Sequence, residues 1–161
     1  MKQAYRYMMV SLGYALALPS AQAGLKALTC EPEWAAVITE LGGDKVQVSS
    51  ATTALQDPHR IEARPSLIAK ARNADLLVCT GLELEVGWLP VLLQQAGNSK
   101  ITEGKPGYLE IGPLVPRLDL AGKVDRSEGD VHAAGNPHIQ QNPHNISKAA
   151  DAIAKRLTEL D

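Results

Sequence analysis

A chain of 161 residues with 16 basic against 18 acidic side chains carries a formal charge of −2, and past residue 23 it has no basic patch and no interleaving of basic with aromatic residues. A nucleic-acid binder, which needs a positive footprint, is therefore excluded. The chain contains no phenylalanine, so aliphatic side chains must build the core, and its length suits one domain.

Residues 1–23 read as a secretory signal peptide. Lys2 and Arg6 supply a positive start, 8–18 is largely apolar but too short to span a bilayer, Pro19-Ser20 breaks the run, and Ala21-Gln22-Ala23 is an A-x-A cleavage signal. The expectation is a chain cut before Gly24 and exported, with no membrane span in the mature part. Cys30 and Cys79 are the only cysteines. In an exported protein such a pair invites a disulfide. Each ends a strand-like apolar run, and two buried free thiols remain the alternative. Their wide spacing, with no CxxC, speaks against a cysteine zinc site.

Leu25 to Thr29 predicts a strand. Glu31-Pro32-Glu33 then opens a helix, since acidic residues and an early proline suit a first turn, with Trp34, Val37, Ile38 and Leu41 on one face up to Gly42-Gly43. Lys45 to Ser49 alternates as a second strand. A polar loop over 50–64 leads to a helix starting at Pro65-Ser66, with Leu67, Ile68 and Ala71 inward. The apolar run from Asp75 to Gly81 fits a strand covered on both faces. A helix is expected from about Glu83 to Gln95, with Trp88, Leu89, Leu92 and Leu93 buried and Pro90 in its early turns. Alternating strands and helices at this spacing predict an α/β fold: a single lobe with a mainly parallel sheet flanked by helices. Neither GxGxxG nor GxxxxGK[ST] occurs, so a phosphate cradle has no support.

Farther on, Tyr108 to Ile111 reads as a short strand and 118–135 as a long mobile loop. The last helix starts at Asn142-Pro143, a cap and an N1 proline. Ile146, Ala150, Ile153, Leu157 and Leu160 mark its apolar face, which no later element is left to cover.

The chemistry lies in the loops. Three of the four histidines stand in Asp/Asn-Pro-His triplets: Asp57-Pro58-His59, Asn136-Pro137-His138 and Asn142-Pro143-His144. Proline fixes the turn and limits where the ring points, which favours imidazole nitrogens preorganised for a metal, zinc foremost. His59 follows the second strand, at the rim where open α/β sheets bind ligands, and His138 can reach the same rim. His132 is a third candidate ligand, with an ordinary surface role equally open. His144, in the first turn of a helix, is expected at the surface. Asp57, Glu62, Asp125, Glu128 and Asp130 are candidate acceptors for an imidazole N–H.

Taken together, Leu28-Thr29-Cys30-Glu31-Pro32-Glu33-Trp34, the segment Ser49 to His59, Arg64-Pro65-Ser66-Leu67, Ala74 to Val78 and Asn136-Pro137-His138-Ile139 resemble the periplasmic substrate-binding proteins of ABC transporters in the zinc/manganese class. The resemblance implies two α/β lobes joined by a long helix with the metal in the cleft between them, and it matches the first lobe's ligands to His59 and His138. It divides this chain into a signal peptide (1–23), an N-terminal metal-binding lobe (24–141) and the start of the interlobe helix (142–161), with the C-terminal lobe absent, as in a truncated form. The implied function is periplasmic capture of Zn²⁺, with Mn²⁺ second, and delivery to an inner-membrane ABC permease, without enzymatic chemistry. The alternatives are an exported zinc-dependent hydrolase with a base such as Glu128, which lacks HExxH or a nucleophile motif for support, and a folded remnant without useful affinity.

Overall fold

The computed structural model describes residues 24–120 and 131–161. The signal peptide assigned to 1–23, most of the loop assigned to 118–135, and with it Asp125, Glu128 and Asp130, lie outside the described residues.

Among the described residues the sheet has four parallel strands in the order β2-β1-β3-β4: β1 (Leu25–Thr29), β2 (Val46–Ser50), β3 (Leu76–Cys79) and β4 (Tyr108–Glu110). The register pairs Leu28 with both Ser49 and Leu77, and Val78 with Leu109. Four helices cover it: α1 (Pro32–Gly42), α2 (Pro65–Asn73), α3 (Leu89–Ala96) and α4 (Pro143–Leu160). Each has a proline in its first two positions, where a fixed φ helps and the missing N–H is no loss. This is the α/β lobe that the alternation of elements predicts.

The core lies on both faces of the sheet. Leu28, Leu77 and Cys79 point to one face, against Leu67 and Ala71 of α2 and Leu92 of α3. Ala27, Leu76 and Val78 point to the other, against Trp34 and Ile38 of α1 and Ala149 and Ile153 of α4. All four residues of β3 are buried, which explains its unbroken apolar sequence.

Two expectations need correction. The helix expected from Glu83 begins only at Leu89, and 81–88 is an irregular turn. Gly81, Leu82 and Glu83 all take left-handed φ values of 74°, 55° and 69°, which no α-helix accepts. The apolar face of α4 is also not left uncovered. Ile153 is fully buried, and Ile146, Leu157 and Leu160 pack beside it on the cluster that holds α1. The helix packs on its own lobe beside α1, on the same face of the sheet. No described helix is long and apolar enough to cross a membrane.

Cys30 and Cys79 form a disulfide, with Cα atoms 4.8 Å apart. They leave the ends of neighbouring parallel strands, and both are fully buried.

Candidate metal centre

The three Asp/Asn-Pro-His triplets fold alike. In each, the side-chain oxygen of the first residue accepts the backbone N–H of the histidine: Asp57 from His59 at 3.0 Å, Asn136 from His138 at 2.9 Å, Asn142 from His144 at 3.0 Å. This side-chain turn, with proline in the middle, sets the direction in which each histidine leaves the backbone. In the third triplet the same bond caps α4.

His59 has a further partner. Its Nδ1 lies 2.8 Å from Asp57 Oδ1. The His59 amide first, and then its ring, hold the Asp57 carboxyl below its ordinary range. With Nδ1–H given to the carboxylate, the Nε2 lone pair faces outward, which is the arrangement a metal-binding histidine uses. His59 Nε2 lies 3.1 Å from His132 Nε2, and the two rings stack with centroids 5.1 Å apart. Two nitrogens bound to one tetrahedral zinc at ~2.0–2.1 Å stand about 3.3 Å apart, so the pair is spaced as ligands of one ion would be.

The turns are held from the 81–88 segment. Trp88 donates its indole N–H to Pro58 O at 2.7 Å. Gly87 packs so closely on the same turn that a Cβ there would sit 3.1 Å from His59 O. Glu83 Oε2 accepts the N–H of Ala134 at 3.3 Å, two residues beyond His132. Asn136, at the start of the second triplet, is tied to Leu118 and Asp119.

The structure thus brings His59 and His132 together on an Asp57 support. His138 is exposed, and the ring nitrogens of His59, His132 and His138 do not gather within 4.8 Å of one another. His144 is exposed on α4. Glu62 is exposed and does not reach the His59 ring. Among the described residues, the ligand-type group that does gather within 4.8 Å is Cys30, Cys79 and Glu85, whose sulfurs are spent in the disulfide. The helix expected from about Glu83 left Glu83, Gly87 and Trp88 out of the site, where the structure uses all three to hold the histidine turns. The flanking Gly81 and Gly87 were the signal that could have revealed a turn.

The family described as zinc-uptake complex component A, periplasmic, matches residues 28–161. A manganese ABC transporter substrate-binding lipoprotein, PsaA of Streptococcus mitis, is 31% identical over 140 residues, covering 85% of this chain and 42% of its own. A metal ABC transporter substrate-binding lipoprotein, ScbA of Streptococcus cristatus, is 32% identical over 128 residues, 78% of this chain and 38% of its own. The chain therefore spans about two fifths of the length of these relatives. The crystal structure of ZnuA superposes with a TM-score of 0.67 at 27% identity, over 86% of this chain and 49% of that one. The Mn-bound periplasmic metal binding protein of Candidatus Liberibacter asiaticus shares the fold, with a TM-score of 0.66 at 22% identity, over 85% of this chain and 46% of that one. PsaA and ScbA are substrate-binding components of ABC transporters, not enzymes. With a lobe of this topology and a match running from β1 to the end of α4, the chain belongs to the family of periplasmic component A of zinc-uptake complexes.

Proposed function

We propose that the chain captures Zn²⁺ in the periplasm and passes it to an inner-membrane ABC permease. Export rests on the signal-like residues 1–23. Delivery to a permease rests on the kinship with ABC transporter substrate-binding proteins. The observation that carries the cargo is the Asp57–His59–His132 arrangement, in which a carboxylate-oriented imidazole meets a second imidazole at 3.1 Å. His59, His132 and His138 supply the nitrogens. Nitrogen ligands favour zinc over manganese, which takes oxygen more readily; Mn²⁺ is the competing cargo because PsaA is named for it.

Capture needs no bond-breaking. Asp57 keeps the His59 tautomer with Nε2 open, and His132 closes on the ion from the neighbouring segment. Three imidazoles fill three positions of a tetrahedral ion and leave the fourth to a further ligand. The test is calorimetric titration with Zn²⁺ and with Mn²⁺, repeated on His59→Ala, His132→Ala and His138→Ala. Zinc should bind more tightly than manganese, and each substitution should weaken it. Equal zinc affinity in all four proteins removes the site, and tighter manganese binding changes the cargo.

A further inference from the structure

We propose that the carboxyls of Glu31 and Glu85, joined through one shared proton, form a latch that positions the 81–88 turn and, through it, both histidine-bearing segments. For its consequence on metal binding the latch rests on the function proposed above; its geometry stands apart from it.

The pair occupies the crevice beyond β1 and β3. The chain leaves β1 toward β2 on one side and β3 on the other, so this is the point where the strand order reverses. Glu31 and Glu85 are 3% and 2% exposed, and two buried carboxylates cannot both be ionised at no cost. Glu85 accepts the Thr80 N–H at 2.7 Å and the Gly81 N–H at 3.0 Å. Those donors favour its charged form. Glu31 Oε2 accepts the Thr80 hydroxyl at 2.9 Å, while Glu31 Oε1 is buried and meets no N–H or O–H of the described residues. The same Thr80 N–H lies 3.3 Å from Glu31 Oε2, so both carboxyls converge on one amide, and a proton held between them relieves their repulsion. Burial first, and then the Glu85 charge, push the Glu31 carboxyl up to about 9; burial raises that of Glu85 as well.

Among the described residues no cation is paired with either carboxyl. Glu33 faces the pair from α1. Glu83, Glu103, Tyr108, Glu110 and Arg117 line with Glu85 a groove of about 490 Å³, and Arg117, its lone basic member, has no ion pair with Glu85 among the described residues. The Tyr108 hydroxyl is bonded to Glu110 at 2.5 Å, and burial and that carboxylate push it far up, so it stays protonated when the pair ionises.

The latch holds strain. Leu82 and Glu83 sit in the left-handed region without being glycine, a conformation that L side chains disfavour. Glu85, two residues after Glu83, is fastened back to the amides of Thr80 and Gly81, which keeps the turn coiled. That turn presents Glu83 to the His132 segment and Trp88 to the His59 turn. Removing the shared proton sets two carboxylates against each other beneath it.

The two tryptophans report the two ends of this chain of contacts. Trp34 Nε1 donates to Thr80 Oγ1 at 2.8 Å, beside the carboxyl pair, and Trp88 Nε1 donates to Pro58 O, beside the histidine. The experiment follows both indole N–H signals by NMR in the metal-free full chain from pH 7 to 10, then titrates Zn²⁺ at neutral pH. In the native chain both indoles should shift together with a midpoint near 9. In Glu31→Gln a carboxamide N–H replaces the shared proton, so the Trp88 signal should stay at its neutral-pH position throughout and zinc affinity should be kept. In Glu85→Ala the Trp88 signal should be displaced at neutral pH and zinc binding weakened about tenfold. A Trp88 signal that ignores pH in the native chain, or titrates identically in Glu31→Gln, overturns the latch. If no protein binds zinc while Trp88 titrates as expected, the latch stands and the cargo assignment falls. If zinc binds and Glu85→Ala leaves both affinity and Trp88 unchanged, the reverse holds.

Discussion

The indole N–H of Trp88 reaches across to the carbonyl oxygen of Pro58 at 2.7 Å, so the residue that immediately precedes α3 also fixes the middle of the Asp57-Pro58-His59 turn. The carbonyl is locked by proline on one side and the indole is packed in the core on the other, with Trp88 3% exposed. Position is thereby transmitted from the hydrophobic core to a metal-ligand candidate without any contact to the ring itself.

Replacing Trp88 with Phe keeps most of the packing and removes the donor. The loss of one hydrogen bond should lower stability by about 1 kcal/mol, read by urea denaturation. The larger effect should fall on zinc affinity, because the His59 turn loses its fixed reference. A Trp88→Phe chain that binds zinc as tightly as the native one would show that Asp57 alone is enough to orient the ring.

Asp57→Asn isolates the other support. Asparagine can still accept the His59 amide, so the turn should survive, but the charge behind Nδ1 disappears. Outer carboxylates of this kind are worth roughly 10–100-fold in metal affinity, and that loss should appear in calorimetry without a change in the circular dichroism spectrum. The acid behaviour has a definite sign. The Asp57 carboxyl is held below its ordinary value of 3.8 by the His59 amide and ring. Its contribution to the turn is therefore present above that value and is lost only as pH falls through the lowered one. A carbon-13 titration of the Asp57 carboxyl with a midpoint at or above 3.8 would contradict the bonded turn.

Much of the lobe could be read from local signals. β1, β3, α2 and α4 follow from apolar period, proline starts and glycine stops, since each of those residues acts within one or two turns of chain. The 81–88 segment could not be read that way. Leu84, Trp88 and Leu92 fall at helical spacing, yet the backbone takes left-handed φ at 81–83. What decides it is Glu85 binding amides at the end of β3, a tertiary contact that overrides local preference. The candidate site shows the same division. His59 and Asp57 stood out because they share one short turn. The meeting of His59 with His132, 73 residues away, depends on how Glu83 and Asn136 hold the later segment. The packing of α4 on α1 likewise needs the topology, because an amphipathic face says that it is covered but not by what.

The Glu31–Glu85 pair predicts how stability varies with pH. The Glu31 carboxyl rises from its ordinary value of 4.5 to about 9 in the folded chain. Its favourable contribution is full below 4.5, declines as pH rises from there, and is exhausted once pH has passed through about 9. Folding takes up close to one proton in that window, which corresponds to a fall of up to about tenfold in the folding constant per pH unit. Glu31→Gln should flatten this slope and raise the melting temperature at pH 8 relative to the native chain. An unchanged slope would mean that the proton is not held at Glu31.

The disulfide closes a long loop, with 49 residues separating Cys30 from Cys79. Chain-entropy arguments assign a loop of that size a stabilisation of about 4 kcal/mol, acting on the unfolded chain. The Cys30→Ala/Cys79→Ala double variant should accordingly unfold at lower denaturant with little change in its folded structure, because both side chains are buried among aliphatic neighbours and alanine leaves no unpaired polar group. The two cysteines also sit one residue before Glu31 and Thr80, at the mouth of the β1–β3 crevice. If the bridge only restricts the unfolded state, stability should fall while zinc affinity and the Trp34 indole signal stay as in the native chain. If it also clamps the crevice, the Trp34 signal should move and zinc affinity should fall with it. Measuring denaturation and zinc titration on the same variant separates the two.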